Sequence, residues 1–323
     1  MKVLFVCSGN SKKFSTAPFI KRQGDSLIRK GIEVSYFTIQ KKGLAGYLQE
    51  ALRLRNHLKK HSFDIVHAHY SFSGWCAVLA LPKLPIVLSL MGDDANGSYS
   101  SFNTITIKSR CLLLFTKSIQ PFVDVIICKS AQMSKIVWLK KKCRIIPNGV
   151  VLGEMLLLDK DKTRKDLGMD ASKYHILFLG NKKDRNKNYQ LLEDAIRLVG
   201  NNEYEIIAPY PVPHREIIYY LNAADVLVVP SFMEGSPNIV KEAMACNCPV
   251  VATDIGDIKW LFGKEPGHFI TAFTPTDCAM KIIEAVNFAA EQGRTRGRDR
   301  IMHLGLDAGD IADKIFSIYK KLI

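Results

Sequence analysis

Long hydrophobic runs are missing from this 323-residue chain. The stretch 78–91 is broken by Pro82, Lys83 and Pro85, and 111–128 by Lys117, Gln120 and Pro121, so neither reads as a membrane span. The apolar opening from Lys2 to Cys7 is too short for a signal-peptide core and runs into Gly9-Asn10, so it reads as a first strand. None of the eight cysteines forms a Cys-x-x-Cys pair. Scattered through apolar contexts, they read as reduced core thiols of a cytoplasmic protein. Cys246-x-Cys248 has the wrong spacing for the common zinc motifs. No Gly-x-Gly-x-x-Gly fingerprint is present, which disfavours a nicotinamide enzyme, and no RNA- or DNA-binding motif accompanies the basic charge. Acid is scarce in one half only. Residues 1–150 hold 23 Lys and Arg against 7 Asp and Glu, a net +16, whereas 151–323 hold 22 against 24, a net −2. That asymmetry points to a polyanionic partner for the first half, an anionic membrane surface or an acidic acceptor, rather than to nucleic acid.

What is present is a strand–helix alternation through both halves. Apolar runs at 2–7, 32–39, 63–68, 85–91 and 124–128 read as strands of the first half, with helical patterns at 17–30, 46–59 and 131–140. In the second half, strands at 175–179, 203–208, 225–229, 249–253 and 267–271 alternate with helices at 188–199, 214–223, 237–246 and 275–292. Residues 151–170 read as a connector and 310–323 as a closing helix. The expected class is α/β, with two Rossmann-like, doubly wound parallel-sheet domains and a ligand at the carboxyl ends of the strands.

The richest segment is Pro230-Ser231-Phe232-Met233-Glu234-Gly235-Ser236-Pro237-Asn238-Ile239-Val240-Lys241-Glu242. A strand ends at Val229, and Ser236 reads as an N-cap with Pro237 as the first helical residue. Glu234 then lies in the loop, and Glu242 on the helix about 7–8 Å along its axis from Pro237. Between them stand unpaired backbone N–H groups at the positive end of a helix dipole, a seat for phosphate. Carboxylates accept from sugar hydroxyls. A diphosphate seat flanked by such acceptors describes a nucleotide-sugar site.

This loop and helix resemble the retaining GT-B glycosyltransferases of glycosyltransferase family four. The same family's order is matched by Ile145-Ile146-Pro147-Asn148-Gly149-Val150, by Ile176-Leu177-Phe178-Leu179-Gly180 followed by Lys187-Asn188, by Ala224-Asp225-Val226, and by Pro249-Val250-Val251-Ala252-Thr253 with Gly256. The match is dense over 144–260 and looser before it. The resemblance implies two facing domains: 1–152 for the acceptor and 153–306 for the nucleotide sugar, with a helix at about 307–323 packed back on the first. It implies that Glu242 accepts the ribose hydroxyls and Glu234 those of the transferred sugar. Lys187, Gly235, Pro237, Asn238, Ile239 and the N–H groups after Ser236 would hold the diphosphate as charge develops. Configuration would be retained by front-face attack without a protein nucleophile.

The chain departs from the family pattern in three places. Asn181 stands where an Arg is expected, and Lys182 is its nearest point-charge substitute. Gly9 is a single glycine where a pair is usual, followed by Lys12 and Lys13. In Ser89-Leu90-Met91-Gly92-Asp93-Asp94, Met91 takes the place of a donor-contacting His. His67-Ala68-His69 places two imidazoles on one strand face, and in the family such a pair lines the cleft, so His69, Met91, Gly92 and Asp93 read as cleft residues. No metal and no cofactor are expected beyond the donor itself.

The acceptor implied is a glycan or lipid-linked oligosaccharide of bacterial surface polysaccharide synthesis. Residues 41–60 and 133–142, the latter with Trp138 among lysines, each read by themselves as helices packed on the sheet. The charge asymmetry of the first half adds the alternative that they are interfacial segments of a cytoplasmic protein peripheral on the inner face of the membrane. Two rival readings are a sugar-nucleotide-binding subunit of little activity and a nucleotide-sugar epimerase.

Overall fold

The computed structural model describes residues 1–9, 16–97, 99–101 and 104–323; Lys12 and Lys13 lie outside them. The chain divides into two compact units, one of Met1–Gly97, Thr106–Gly149 and Ala308–Ile323, the other of Ser98–Ile105 and Val150–Asp307.

The first unit is built on β1 (Lys2–Ser8), β2 (Glu33–Ile39), β3 (Ile65–His69) and β4 (Ile86–Ser89). After a hairpin, β5 (Tyr99–Ser101) and β6 (Thr104–Ile105), which groups with the other unit, come β7 (Val125–Cys128) and β8 (Cys143–Ile145). Apart from the hairpin these form one parallel sheet in the order β2-β1-β3-β4-β7-β8. Val3 to Cys7 are wholly buried, as an inner strand covered on both faces requires. The helices are α1 (Pro18–Ile28), α2 (Gly43–Lys60), α3 (Ser71–Leu79), the short α4 (Asp93–Asn96) and α5 (Ile107–Ser118). Ala51 and Leu54 of α2 and Ala77 of α3 join Leu4, Val6 and Leu88 of the sheet in one core, each buried leucine contributing about 1.5–3 kcal/mol.

The expected helix at 131–140 is not formed. The segment is two short 3-10 turns, Met133–Ile136 and Lys140–Lys142. The buried Gln120 side chain explains this: it accepts from Trp138 N and Leu139 N at 2.9 and 3.2 Å and donates to Ile136 O at 3.1 Å. Backbone groups a helix would have paired are thus satisfied from elsewhere. Nor was β8 expected, being a short, half-exposed edge strand after three lysines.

The second unit carries α6 (Lys160–Asp166), β9 (Tyr174–Leu177), α7 (Tyr189–Val199), β10 (Tyr204–Ile207), α8 (Ile217–Ala223), β11 (Val226–Val229), α9 (Asn238–Ala245), β12 (Val250–Thr253), α10 (Ile258–Phe262), β13 (His268–Thr271), α11 (Pro275–Gln292) and α12 (Gly297–His303). Its sheet is parallel, in the order β10-β9-β11-β12-β13. Within the expected connector, α6 is docked by Asp225, which accepts from Lys160 Nζ at 2.7 Å, Arg164 at 2.6 Å and His175 N at 2.7 Å. The last helix, α13 (Ala308–Lys320), belongs to the first unit. A Cβ on Gly149 would stand 2.7 Å from Ala308 Cα, so only glycine admits the start of α13 there. Both sheets reverse strand order beside their first strand, between β1 and β3 and between β9 and β11, the place where doubly wound sheets receive ligands. Among the described residues no helix is long and apolar enough to cross a membrane.

Candidate functional site

In the second unit, the loops leaving β9 and β11 are knit together at the carboxyl edge of the sheet. Phe232 N donates to Asn186 O at 2.8 Å and Asn186 Nδ2 to Met233 O at 2.9 Å. Asn188, in the left-handed region at φ 49°, donates from Nδ2 to Pro230 O at 3.1 Å. Thr253 at the end of β12 donates to Ser231 O at 2.6 Å. The loop at Glu234 rests on Gly256, whose φ is +60° and where a Cβ would meet Gly235 O at 2.7 Å and Glu234 O at 3.0 Å. The loop backbone is therefore held by bonds and contacts from residues after β9 and from the end of β12 onward.

Three sets of ionisable side chains on and beside these loops are paired. Lys187 Nζ lies 2.5 Å from Glu234 Oε1, bringing together two residues that are 47 positions apart. Glu242, on α9 and almost wholly buried, meets His214 Nε2 at 2.8 Å. Sequence reasoning missed His214, which stands 28 residues upstream on a 3-10 turn with no local signal. The third set corrects the cap expected at Ser236. The helix begins at Asn238 with Pro237 as its N-cap residue, and no side chain caps it. Ser236 Oγ instead donates to Asp257 Oδ2 at 2.6 Å and accepts from Lys241 Nζ at 3.0 Å. Lys241 is fully buried. Burial pushes its amine down to about 8, against the attraction of Asp257 and Glu242. Burial likewise raises Asp257, against the opposing pull of Lys241.

Three acceptor atoms around this loop are buried with no hydrogen-bond partner among the described residues: Asn186 Oδ1, Asn238 Oδ1 and Asp257 Oδ1. Buried acceptors of this kind are costly unless a donor reaches them. Gly235 and Pro237 are buried and Ile239 half-buried at the start of α9. Asn181 and Lys182 are held elsewhere. Asn181 closes its own turn, accepting from Lys183 N at 3.0 Å and Asp184 N at 2.9 Å. The Lys182 ammonium sits 4.6 Å over the Tyr189 ring.

In the first unit, Gly9 N donates to Ile39 O at 2.9 Å, and a Cβ there would be 2.6 Å from Thr38 Cβ. Its glycine is thus required by packing on β2. His67 and His69 do share a face, with rings 4.3 Å apart, but both His67 nitrogens are taken: Nδ1 by the Tyr319 hydroxyl at 2.5 Å and Nε2 by Ser89 Oγ at 2.8 Å. Neither nitrogen of His69 has a partner among the described residues. Burial holds both imidazoles neutral, well below their usual range. After β4, Asp93 is exposed, and the organising residue is Asp94. It accepts from Met91 N at 2.8 Å, Gly92 N at 3.0 Å and Ser71 N at 3.0 Å, which fixes Gly92 at φ 145°. Burial lifts its carboxyl to about 6 despite those bonds.

Residues 2–154 match the family model described as Glycosyltransferase Family 4, and 169–287 match Glycosyl transferases group 1. Among relatives is TuaC of Bacillus subtilis, a glycosyltransferase provisionally assigned to teichuronic acid biosynthesis. It is 26% identical over 229 residues, 62% of this chain and 56% of that protein's length. A D-inositol 3-phosphate glycosyltransferase of Pseudarthrobacter chlorophenolicus is 25% identical over 75% of this chain and 67% of its own. Sucrose-phosphate synthase from Thermosynechococcus elongatus superposes with a TM-score of 0.80 at 19% identity, over 99% of this chain and 98% of that one. Anabaena HepE in complex with UDP-glucose superposes at 0.78 and 16% identity, over all of both chains. These structural likenesses establish the fold.

Proposed function

Since the chain belongs to the GT-B glycosyltransferases, we propose that it moves a sugar from a nucleoside-diphosphate sugar to a glycan or lipid-linked acceptor, with retention of configuration. The reading rests on one observation: the β11–α9 loop, bonded to residues after β9 and at the end of β12, sets Glu234, Glu242 and the uncapped start of α9 on one support. Glu242, oriented by His214, accepts the ribose hydroxyls. Glu234 accepts hydroxyls of the transferred sugar and holds Lys187 beside the diphosphate, where its ammonium and the first N–H groups of α9 offset the leaving charge. The partnerless acceptors on Asn186, Asn238 and Asp257 suit a ligand rich in hydroxyl donors. No metal and no cofactor enter this scheme. The kinship with TuaC and the basic first half support an acceptor of surface polysaccharide synthesis, taken up on the cytoplasmic face of an anionic membrane. The HepE complexes with UDP and with UDP-glucose make uridine diphosphate sugars the first donors to try.

One observation favours a second reading. With Asn181 closing a turn and Lys182 stacked on Tyr189, the diphosphate seat holds one cation fewer than the family pattern, as a sugar-nucleotide-binding subunit of little activity would. The test is thermal shift against nucleoside diphosphates and their sugars, for wild type and Glu242→Ala. A ligand at 100 times its dissociation constant adds about 2.7 kcal/mol, or about 5–10 °C for units of this size. A shift for one nucleotide series, lost in the variant, is expected; no shift across the panel overturns the reading. Nucleoside diphosphate release that requires acceptor then separates a transferase from a binder, which releases none, and from an epimerase, which converts the donor unaided.

A further inference from the structure

The first unit contains an apolar pocket of about 640 Å³ that the transfer chemistry does not use. Its walls are Tyr47 and Leu48 of α2, Phe72, Trp75 and Leu79 of α3, and Phe115 of α5, with Lys42 at the rim. Leu48, Leu79 and Phe115 are 48%, 44% and 45% exposed, although each belongs to a helix packed on the core. The aromatic rings support one another, Phe72 lying 5.5 Å from Tyr47 and 6.0 Å from Phe115. The indole N–H of Trp75 is spent on Phe115 O at 3.1 Å. Such walls recognise a ligand by hydrocarbon alone.

The surroundings say what carries that hydrocarbon. The single carboxylate on α2, α3 and α5 is Glu50, which is buried and bonded to Arg53. Exposed Lys41, Lys42, Arg55, Lys108 and Lys117 stand on or beside the same helices. Further along α2 and α5, Leu52 and Leu114 are 61% and 65% exposed. Apolar side chains interleaved with cations, with no exposed acid on these three helices, complement an anionic lipid surface.

We propose that this pocket takes a hydrocarbon chain of an anionic membrane lipid, seating the first unit at the surface that presents the acceptor. The inference rests on the membrane part of the function proposed above, and separate readouts tell the two apart. Full-length protein is mixed with phosphatidylglycerol vesicles whose acyl chains carry bromine at mid-chain, and pelleting and tryptophan emission are both recorded. Wild type should pellet and lose the emission owed to Trp75, one of three tryptophans. Trp75→Phe should pellet equally but lose that quenching. Leu48→Asp, at an exposed position, should bind vesicles about tenfold more weakly while keeping its nucleotide thermal shift. Leu79→Asp, on α3, is the second variant should the first not fold. Pelleting in which Trp75→Phe is quenched as much as wild type overturns the pocket and leaves membrane contact standing. Absence of pelleting overturns both, and neither result touches the nucleotide shift. Concentration-dependent self-association that shields Trp75 without lipid would assign the pocket to a second copy instead.

Discussion

Lys241→Met tests how the buried charges beneath the β11–α9 loop are balanced. The amine titrates near about 8 in the fold and near 10.5 when unfolded, so the chain releases a proton on folding between those values. The ammonium therefore costs nothing above pH 10.5, costs more as pH falls, and costs its full amount, about 3 kcal/mol, below pH 8. Attraction to Asp257 does not cover the loss of water around the pair. Removing the lysine alone nevertheless strands Asp257, whose Oδ1 already lacks a partner, and we expect a loss of about 3 kcal/mol at pH 7. Combining Lys241→Met with Asp257→Asn removes both charges and should return stability to within about 1 kcal/mol of wild type. Wild type should gain on the double variant as pH rises from 8 to 10. The assay is urea unfolding followed through Trp260, the one tryptophan of the second unit, with Trp75 and Trp138 changed to Phe. A single variant as stable as wild type, or a double variant no better than the single, refutes the reasoning.

Four further expectations are open to measurement. His214→Ala should weaken nucleoside diphosphate binding about tenfold by calorimetry, through a Glu242 no longer held at 2.8 Å, whereas His214→Gln keeps most of it; equal loss in both argues against a positioning role. Gly256→Ala places a methyl against Gly235 O at positive φ and should cost about 1–3 kcal/mol, visible as a lower melting temperature with a weaker nucleotide shift. Tyr319→Phe leaves a buried His67 nitrogen without a partner and should cost about 1–3 kcal/mol in denaturant unfolding. Asp94, lifted to about 6, takes up a proton on folding between its unfolded value and that one, so its burial costs stability as pH rises through this window. Melting temperatures from pH 4 to 7 should therefore show wild type losing ground to Asp94→Asn; a flat difference counts against that shift.

The ten expected strands are all present. Inner ones such as Val226–Val229 and Val250–Thr253 are short buried apolar runs bounded by turn residues, whereas the edge strands Glu33–Ile39 and Tyr204–Ile207 mix apolar with polar residues and are only partly buried. What escaped the sequence was decided at long range. The turns at 133–142 have helical spacing, yet Gln120 claims their backbone. Ser236 precedes a proline as caps do, but its hydroxyl is bonded to a carboxylate 21 residues away. Glu234, Glu242 and Lys187 were legible through the family resemblance, and the fold pairs Lys187 with Glu234; His214 and Asp94 were not, since their partners are set by the fold. The interfacial reading of α2 needs refinement: Ala51 and Leu54 pack inward, while Leu48 and Leu52 face outward.

Synthesis runs in one direction, and α13 gives that fact a consequence. The first unit needs Ala308–Ile323, including the hydroxyl that satisfies His67, but its sheet is finished by Ile145. At ordinary translation rates of about 5–20 residues per second, the ribosome needs about ten to thirty seconds to make the intervening second unit. During that time the earliest half waits with its last helix unmade, and the second unit has all its residues once Asp307 is added, before Ala308–Ile323 exist. The half made first is therefore the half completed last.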